Sequence, residues 1–185
     1  MKINALRAGK IYFWEFFQNF PLLLGFTCSL ASARQNDWWL IGLSASVGSI
    51  LGALAIWYTD PFIVPGTREP FAVTRTNMIV FFLVAMGMAL YFAQNWGTWP
   101  VDVLLGAILG MGVGYGQDLA AGTRKPGFRH ILALMLAFVP AILTIRLITV
   151  RYPPLPASLI LNAFMTLIIV TIDYLSPKQQ PGVTA

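Results

Sequence analysis

Three aspartates stand where long apolar stretches of the chain end. They are Asp60, Asp118 and Asp173, and Gln117 directly precedes the second. A carboxylate at the C-terminal end of a helix faces the negative end of the helix dipole, so it favours a nearby cation. The aspartates fit ion pairs with the basic residues described next, or a proton or cation gate formed by Asp60, Gln117 and Asp118. Asp60-Pro61 also fits a simple helix stop.

Basic residues gather in the segments that follow Asp60 and Asp118. These segments read Gly-Thr-Arg-Glu-Pro-Phe at 66–71 and Gly-Thr-Arg-Lys-Pro-Gly-Phe at 122–128. Cations just beyond a membrane helix attract anionic lipid headgroups, and a phosphorylated metabolite or a soluble partner is the alternative. The candidate contacts are Arg68, Arg75, Arg124, Lys125, Arg129 and His130.

Glycines form stripes in the second and fourth apolar stretches. Gly48 and Gly52 are four positions apart, as are Gly106 and Gly110. Missing side chains let helices approach closely, which predicts packing of the second helix on the fourth. The alternative is a partly unwound segment whose backbone carbonyls line a permeation path. The path candidates are Gly110, Gly112, Gly114 and Gly116.

The chain also resembles itself. Gly48-Ser-Ile-Leu-Gly52 matches Gly106-Ala-Ile-Leu-Gly110, 58 positions later, and the same offset maps Asp60 onto Asp118. The two Gly-Thr-Arg segments follow in the same order. This pattern predicts an internal repeat of two-helix hairpins in parallel topology, with a faint third copy around Asp173.

Several kinds of site are excluded by composition. Cys28 and His130 are the single cysteine and histidine, which leaves no intramolecular disulfide and no multi-cysteine or multi-histidine metal site. No Ser/His/Asp set, Cys/His set or deep carboxylate pair emerges, so we assign no catalytic residue, metal or cofactor, and an enzyme is disfavoured. The net charge of +5 falls between apolar segments, so nucleic acid is not an expected partner.

The composition predicts what positions these residues. The 185 residues are 57% apolar and 10% charged, against about 25% charged in ordinary soluble domains. A spanning helix needs about 20 mostly apolar residues. We therefore predict an all-α polytopic membrane bundle, a single membrane domain over 1–185 with a short polar tail at 177–185. The predicted helices are 11–32, 38–59, 77–94, 99–119, 130–150 and 156–175.

The basic residues predict orientation. With a cytoplasmic N-terminus, nine basic residues fall on the cytoplasmic side and three on the other, so both termini are expected in the cytoplasm of a cell that holds the chain in its inner membrane. Trp38, Trp39, Trp96, Trp99 and Tyr152 then lie at the outer interface. Ala31-Ser32-Ala33 has the form of a signal-peptidase site, but polar residues interrupt the approach to it, which favours retention of the first helix.

Isolated charges within the predicted helices have ordinary explanations. Glu15, Gln18 and Asn19 share one face of the first segment, as in an interfacial helix. Asp102 begins the fourth helix, where the dipole suits its charge. Arg146, in the last turn of the fifth helix, is expected to extend outward to the interface.

These features favour a small transporter or channel subunit for a small solute or ion, with its path near the glycine-rich fourth helix. The alternative is a non-transporting scaffold or accessory subunit of a larger membrane complex. A lipid-modifying enzyme ranks third. The expected partners are the lipid bilayer, anionic headgroups on the cytoplasmic side, and further copies of the chain or other subunits.

Overall fold

Six helices make up the part of the chain that is described. The computed structural model describes residues 5–63, 71–94, 99–120 and 128–175, with side chains at 9–59, 61–62, 74–94, 99–112, 131–132, 135–136, 138–168 and 170–171. The helices are α1 (Ala5–Arg34), α2 (Trp38–Ile63), α3 (Phe71–Ala93), α4 (Trp99–Ala120), α5 (Phe128–Arg151) and α6 (Pro154–Leu175). These residues contain no strand, which confirms the all-α prediction.

Two helices contain a proline in their interior. α1 has 30 residues and contains Pro21, and its polar face and its apolar part form one helix of about 45 Å at 1.5 Å per residue. α2 contains Pro61 and continues to Ile63, so the interpretation of Asp60-Pro61 as a helix stop is wrong. α2 continues through Pro61 because a proline removes a single backbone donor, and packing along the rest of the helix outweighs that loss.

A tight turn joins α1 to α2. Asn36 has a positive φ of 58°, and the amide of Asp37 donates to the carbonyl of Ser32 at 3.0 Å. This is the left-handed C-terminal cap in which asparagine replaces glycine. The Asp37 carboxylate then accepts from the amide of Leu40 at 3.1 Å, which caps the start of α2. The two helices therefore run antiparallel from a turn of three residues.

The ends of several helices meet at the end of the bundle where this turn lies, which we call the outer end. The Thr27 hydroxyl donates to the Pro154 carbonyl at 3.1 Å, and Arg34 donates to the Thr149 carbonyl at 2.5 Å. Pro154 opens α6 at a position where a missing amide hydrogen costs nothing. The α1–α2 and α5–α6 turns thus lie side by side.

α1 is the central helix of the bundle. It packs against α2, α3 and α6, while α5 packs against α4 and α6. The apolar core lies where α1, α3, α5 and α6 meet. Its buried members are Phe26, Leu30, Ala89, Phe92, Ile142, Ile145 and Leu161.

The glycine stripes contact helices other than those expected. A Cβ at Gly48 would stand 2.6 Å from the Gly25 Cα of α1, and a Cβ at Gly106 would stand 2.7 Å from the Val139 Cα of α5. Such distances leave no room for a side chain, so the glycines do allow close backbone approach. The expected packing of α2 on α4 is wrong for the described residues, because each stripe is used against its neighbour along the chain.

Two of the described helices are long and apolar enough to cross a membrane. They are Trp38–Thr59 and Thr74–Ala93, each with a mean hydropathy of 1.9. Only 33% and 11% of their apolar windows are buried within the protein. A core helix of a soluble protein would be mostly buried. The apolar stretches Trp99–Gly112 and Pro154–Ile168 are shorter.

Candidate functional site

Most of the predicted gate and headgroup contacts lie outside the described side chains. Those residues are Asp60, Arg68, Gly114, Gly116, Gln117, Asp118, Arg124, Lys125, Arg129 and His130. Whether they come together stays a prediction. The structure does describe the surroundings of three candidates, namely Gly110, Gly112 and Arg75.

Gly110 and Gly112 lie on different faces of α4. Gly110 is buried, whereas Gly112 is exposed, and a Cβ there would meet nothing within 4 Å. Two positions along a helix are separated by about 200° of rotation at 3.6 residues per turn. A path that follows one face of α4 can therefore include Gly110 or Gly112, but not both.

Arg75 lies in a groove between α2 and α3. The groove has a volume of about 310 Å³, and Arg75, Ser46 and Ser49 supply its polar lining. Ser46, Ser49 and Ile50 of α2 line one side of the groove, and the α3 side extends two helical turns from Arg75 to Phe82.

A buried ion pair joins α4 to α5 near the outer end. Asp102 is 1% exposed, and it accepts from Arg146 Nε at 2.5 Å and from Arg146 Nη2 at 3.1 Å. Tyr91 of α3 donates its hydroxyl to the same carboxylate at 2.9 Å. The guanidinium carbon lies 5.3 Å from the centre of the Phe92 ring. The bidentate geometry and the aromatic contact suit arginine specifically.

The pair corrects two expectations from the sequence. Arg146 turns inward to a carboxylate and does not extend to the interface, and Asp102 is buried although it begins a helix. The sequence does contain a signal for this contact. Asp102 and Arg146 each lie 22 positions from Arg124, at the middle of the segment that joins α4 to α5. Residues equally far from the centre of a helical hairpin stand at the same height.

A second polar cluster lies near the N-terminal half of α1. Gln18 donates to Glu15 Oε2 at 2.6 Å and accepts from the Thr59 hydroxyl at 2.8 Å. Asn19 donates to the Glu15 carbonyl at 2.8 Å. Glu15 and Gln18 are each 8% exposed. The shared face predicted for these side chains therefore faces α2, and Glu15 is more buried than an interfacial residue would be.

α6 carries a stripe of polar residues that face the protein interior. Ser158, Asn162 and Thr166 are spaced four apart and are each fully buried. Asn162 donates to the Phe16 carbonyl of α1 at 2.7 Å. Its amide oxygen and the Thr166 hydroxyl have no hydrogen-bond partner among the described residues. Buried polar atoms are nearly always paired with protein or water, so these two call for an explanation.

Arg34 closes the outer end between α1 and α5. Besides the Thr149 carbonyl, Arg34 donates to the Thr149 hydroxyl at 3.3 Å. An arginine side chain stays charged in proteins. The contact therefore joins a cation to a buried helix end.

The described interior contains many polar side chains beside its apolar core, and the surface contains large apolar ones. Large apolar side chains that are at least half exposed occur on all six helices, among them Phe17, Leu51, Leu83, Leu104, Leu136, Leu147 and Leu167. Buried polar side chains are nearly as common as buried apolar ones in the same ranges. Trp38, Trp39 and Trp99 are exposed at helix ends. Within the described ranges, no three His, Cys, Asp or Glu side chains come together as a metal site would require.

Comparison with protein-family models, curated proteins and solved structures finds no match to this chain. The class that the described residues establish is an all-helical protein with two candidate membrane-spanning helices.

Proposed function

We propose that the chain is a multi-pass membrane protein in which all six helices cross the bilayer and both termini are cytoplasmic. The exposed apolar faces on every helix support this, since lipid tails solvate such faces at no cost. The exposed tryptophans at the helix ends suit the headgroup level. The buried polar clusters suit an interior that excludes lipid.

Labelling of single cysteines tests the topology. Cys28→Ser removes the native thiol, and Asn36→Cys or Lys10→Cys then introduces one thiol in the α1–α2 turn or near the start of α1. A membrane-impermeant maleimide applied to intact cells should label Asn36→Cys, while Lys10→Cys should require permeabilised cells. Labelling of both sites from outside would refute the proposed orientation.

We further propose that the protein is a transporter or channel subunit for a small solute or ion. The observation that carries this proposal is the set of unpaired polar atoms inside a bundle whose outer faces are apolar. Asn162 Oδ1 and Thr166 Oγ1 lie one turn apart on α6 and lack partners among the described residues. A purely structural helix contact would satisfy such atoms, whereas a path that admits water or solute leaves acceptors free for it.

The predicted path at α4 remains part of this proposal. Gly110 is buried and can contribute to a path on the inner face of α4, while Gly112 faces outward. Gly114 and Gly116 stay predicted path residues, and Asp60, Gln117 and Asp118 stay the predicted gate; all five lie outside the described side chains.

Flux through proteoliposomes tests the transport proposal. Asn162→Leu and Gly110→Leu should each reduce the flux at least tenfold while the protein still purifies as a helical, monodisperse species. Leu167→Val on the exposed face of α6 is the matched control and should leave the flux unchanged. Normal flux in both variants would refute this path.

An accessory subunit is the second candidate, favoured by open positions on exposed helix faces. A Cβ at Gly42 or Gly87 would meet nothing within 4 Å, so helices of another subunit could approach closely there. Native mass spectrometry after gentle extraction distinguishes the candidates. A fixed stoichiometric complex with unrelated subunits supports the accessory function, and a homo-oligomer or monomer that carries a small solute supports transport.

A further inference from the structure

The groove between α2 and α3 has one polar part and one apolar part. Ser46, Ser49 and Arg75 supply the polar lining, and Ile50, Ile79 and Phe82 supply apolar walls. Its volume of about 310 Å³ is at the lower end of the range of small-molecule sites, about 300–1,000 Å³. Such a division suits a molecule with a charged head and an alkyl tail.

The polar part contains groups that the protein leaves available. Ser49 is 2% exposed, and its hydroxyl has no hydrogen-bond partner among the described residues. Ser46 in the same lining donates to the Gly42 carbonyl of its own helix at 2.7 Å, which is the usual arrangement for a helical serine. Ser49 therefore departs from the arrangement that its neighbour adopts, at the position where the groove forms.

Arg75 gives this part of the groove its charge. Its side chain is exposed, and the ion pair found among the described residues uses Arg146 and not Arg75. Arg75 stands at the start of the apolar stretch Thr74–Ala93, where a cation attracts the anionic head of an amphiphile. A guanidinium with adjacent hydroxyls is the donor set that binds phosphate or carboxylate oxygens.

The apolar part extends toward the lipid-facing surface. Ile50 and Ile79 are 44% and 57% exposed, so the groove opens between helix faces that we assign to lipid. An alkyl chain can enter the groove from the bilayer and pack against these side chains by van der Waals contact. A free inorganic anion has no part that could make this contact.

We propose that the α2–α3 groove is a binding site for an anionic single-chain amphiphile, with its phosphate or carboxylate on Arg75 and Ser49 and its chain along Ile50, Ile79 and Phe82. The inference rests on the membrane placement of α2 and α3 proposed above, and it is independent of transport.

Binding of dodecyl phosphate to the full chain in maltoside micelles tests the site. Native mass spectrometry counts bound copies, with inorganic phosphate as the probe that lacks a chain. We expect saturation at one dodecyl phosphate per chain and no retention of inorganic phosphate. Arg75→Gln should weaken binding about tenfold or more, because a charge-assisted hydrogen bond is lost. Arg75→Lys should restore part of that loss.

Two further variants distinguish binding in the groove from a general attraction of the anionic amphiphile to basic residues. Ile79→Trp fills the apolar part from an exposed position, where folding tolerates it, and should abolish saturable binding. Arg151→Gln removes an exposed cation at the end of α5 and should change nothing. Equal binding by Arg75→Gln and Arg151→Gln would overturn the proposal, as would retention of inorganic phosphate as tight as that of the amphiphile.

The binding test of the groove and the flux test of transport can fail independently of each other. One bound amphiphile together with no flux through proteoliposomes would reject transport and keep the groove site. Normal flux together with no dependence of binding on Arg75 would reject the groove site and keep transport.

Discussion

Arg146 and Arg75 are two helical arginines in opposite circumstances. Arg146 makes a bidentate ion pair with Asp102 and lies over the Phe92 ring, whereas Arg75 is exposed in a groove beside an unpaired serine hydroxyl. The first cation is satisfied by the protein. The second has polar and apolar neighbours arranged around open space. We infer that an arginine paired within the chain stabilises the bundle, whereas an unpaired arginine is available to a ligand.

The hairpins that hold the two arginines differ in what faces the cation. In α4–α5, Asp102 of α4 faces Arg146 of α5 and accepts two hydrogen bonds from it. In α2–α3, Arg75 shares a groove with the hydroxyls of Ser46 and Ser49, and no carboxylate lines that groove among the described residues. The first hairpin pairs its charges, and the second leaves its cation beside open space.

The largest predicted effect comes from breaking the α4–α5 ion pair. Arg146→Met leaves Asp102 charged and 1% exposed, and removal of one partner of a buried pair typically costs about 3–5 kcal/mol. We expect a loss of about 3 kcal/mol in the free energy of unfolding, because Tyr91 still donates to the carboxylate. Unfolding by SDS titration in mixed micelles measures it.

A double variant controls for lost packing. Asp102→Leu combined with Arg146→Met removes both charges, so it should unfold less readily than Arg146→Met alone. Additive losses in the double variant would show that the charges are not coupled, and the structural assignment of Arg146 would then fail.

A smaller effect is expected where two helices approach most closely. A Cβ at Gly25 would lie 2.5 Å from the Gly48 Cα, so Gly25→Ala must separate α1 from α2, at about 1–3 kcal/mol of stability. A Cβ at Gly87 on the α3 surface would meet nothing within 4 Å, so Gly87→Ala should gain up to about 1 kcal/mol in helix propensity. Thermal unfolding in detergent measures both, and equal losses would contradict the close approach of α1 to α2.

The sequence predicted the helices better than their contacts. The predicted helix starts at 38, 99, 130 and 156 lie within two residues of the observed starts of α2, α4, α5 and α6, because the local composition that sets a helix is visible along the chain. The close approach at Gly48 and Gly106 was visible too. The partner helices could not be predicted, because a stripe of small residues indicates that another backbone lies close but not which helix it belongs to.

The polar interior was the least predictable part. The predicted helix boundaries are uncertain by about one turn. An interfacial location was therefore plausible for Asp102, Arg146 and Glu15. Their burial depends on how far each helix extends beyond its neighbours. That offset arises from side-chain packing between helices, and in the sequence it shows only where a hairpin brings two charges to equal distances from its centre, as it does for Asp102 and Arg146.

Loss of the hydrogen bond between α1 and α2 should reduce the stability of the protein moderately. Thr59→Val removes the donor to Gln18 Oε1 and leaves that buried oxygen without its partner, which should cost about 1–2 kcal/mol. Thr171→Val is the matched control, because the Thr171 hydroxyl is exposed and donates to the Leu167 carbonyl of its own helix. Chemical unfolding of both variants should separate them. Equal stability would mean that water replaces the Thr59 hydroxyl, and this end of the bundle would then be wet.

The smallest predicted effect tests whether Arg75 and Arg146 differ as described. Arg75 makes no ion pair with a described residue and its side chain is exposed, so Arg75→Gln should change the free energy of unfolding by less than about 0.5 kcal/mol. The same SDS titration used for Arg146→Met measures this directly. A loss comparable to that of Arg146→Met would mean that Arg75 already has a partner within the chain. The two arginines would then be equivalent structural cations, and the groove would lack the free charge that an anionic ligand requires.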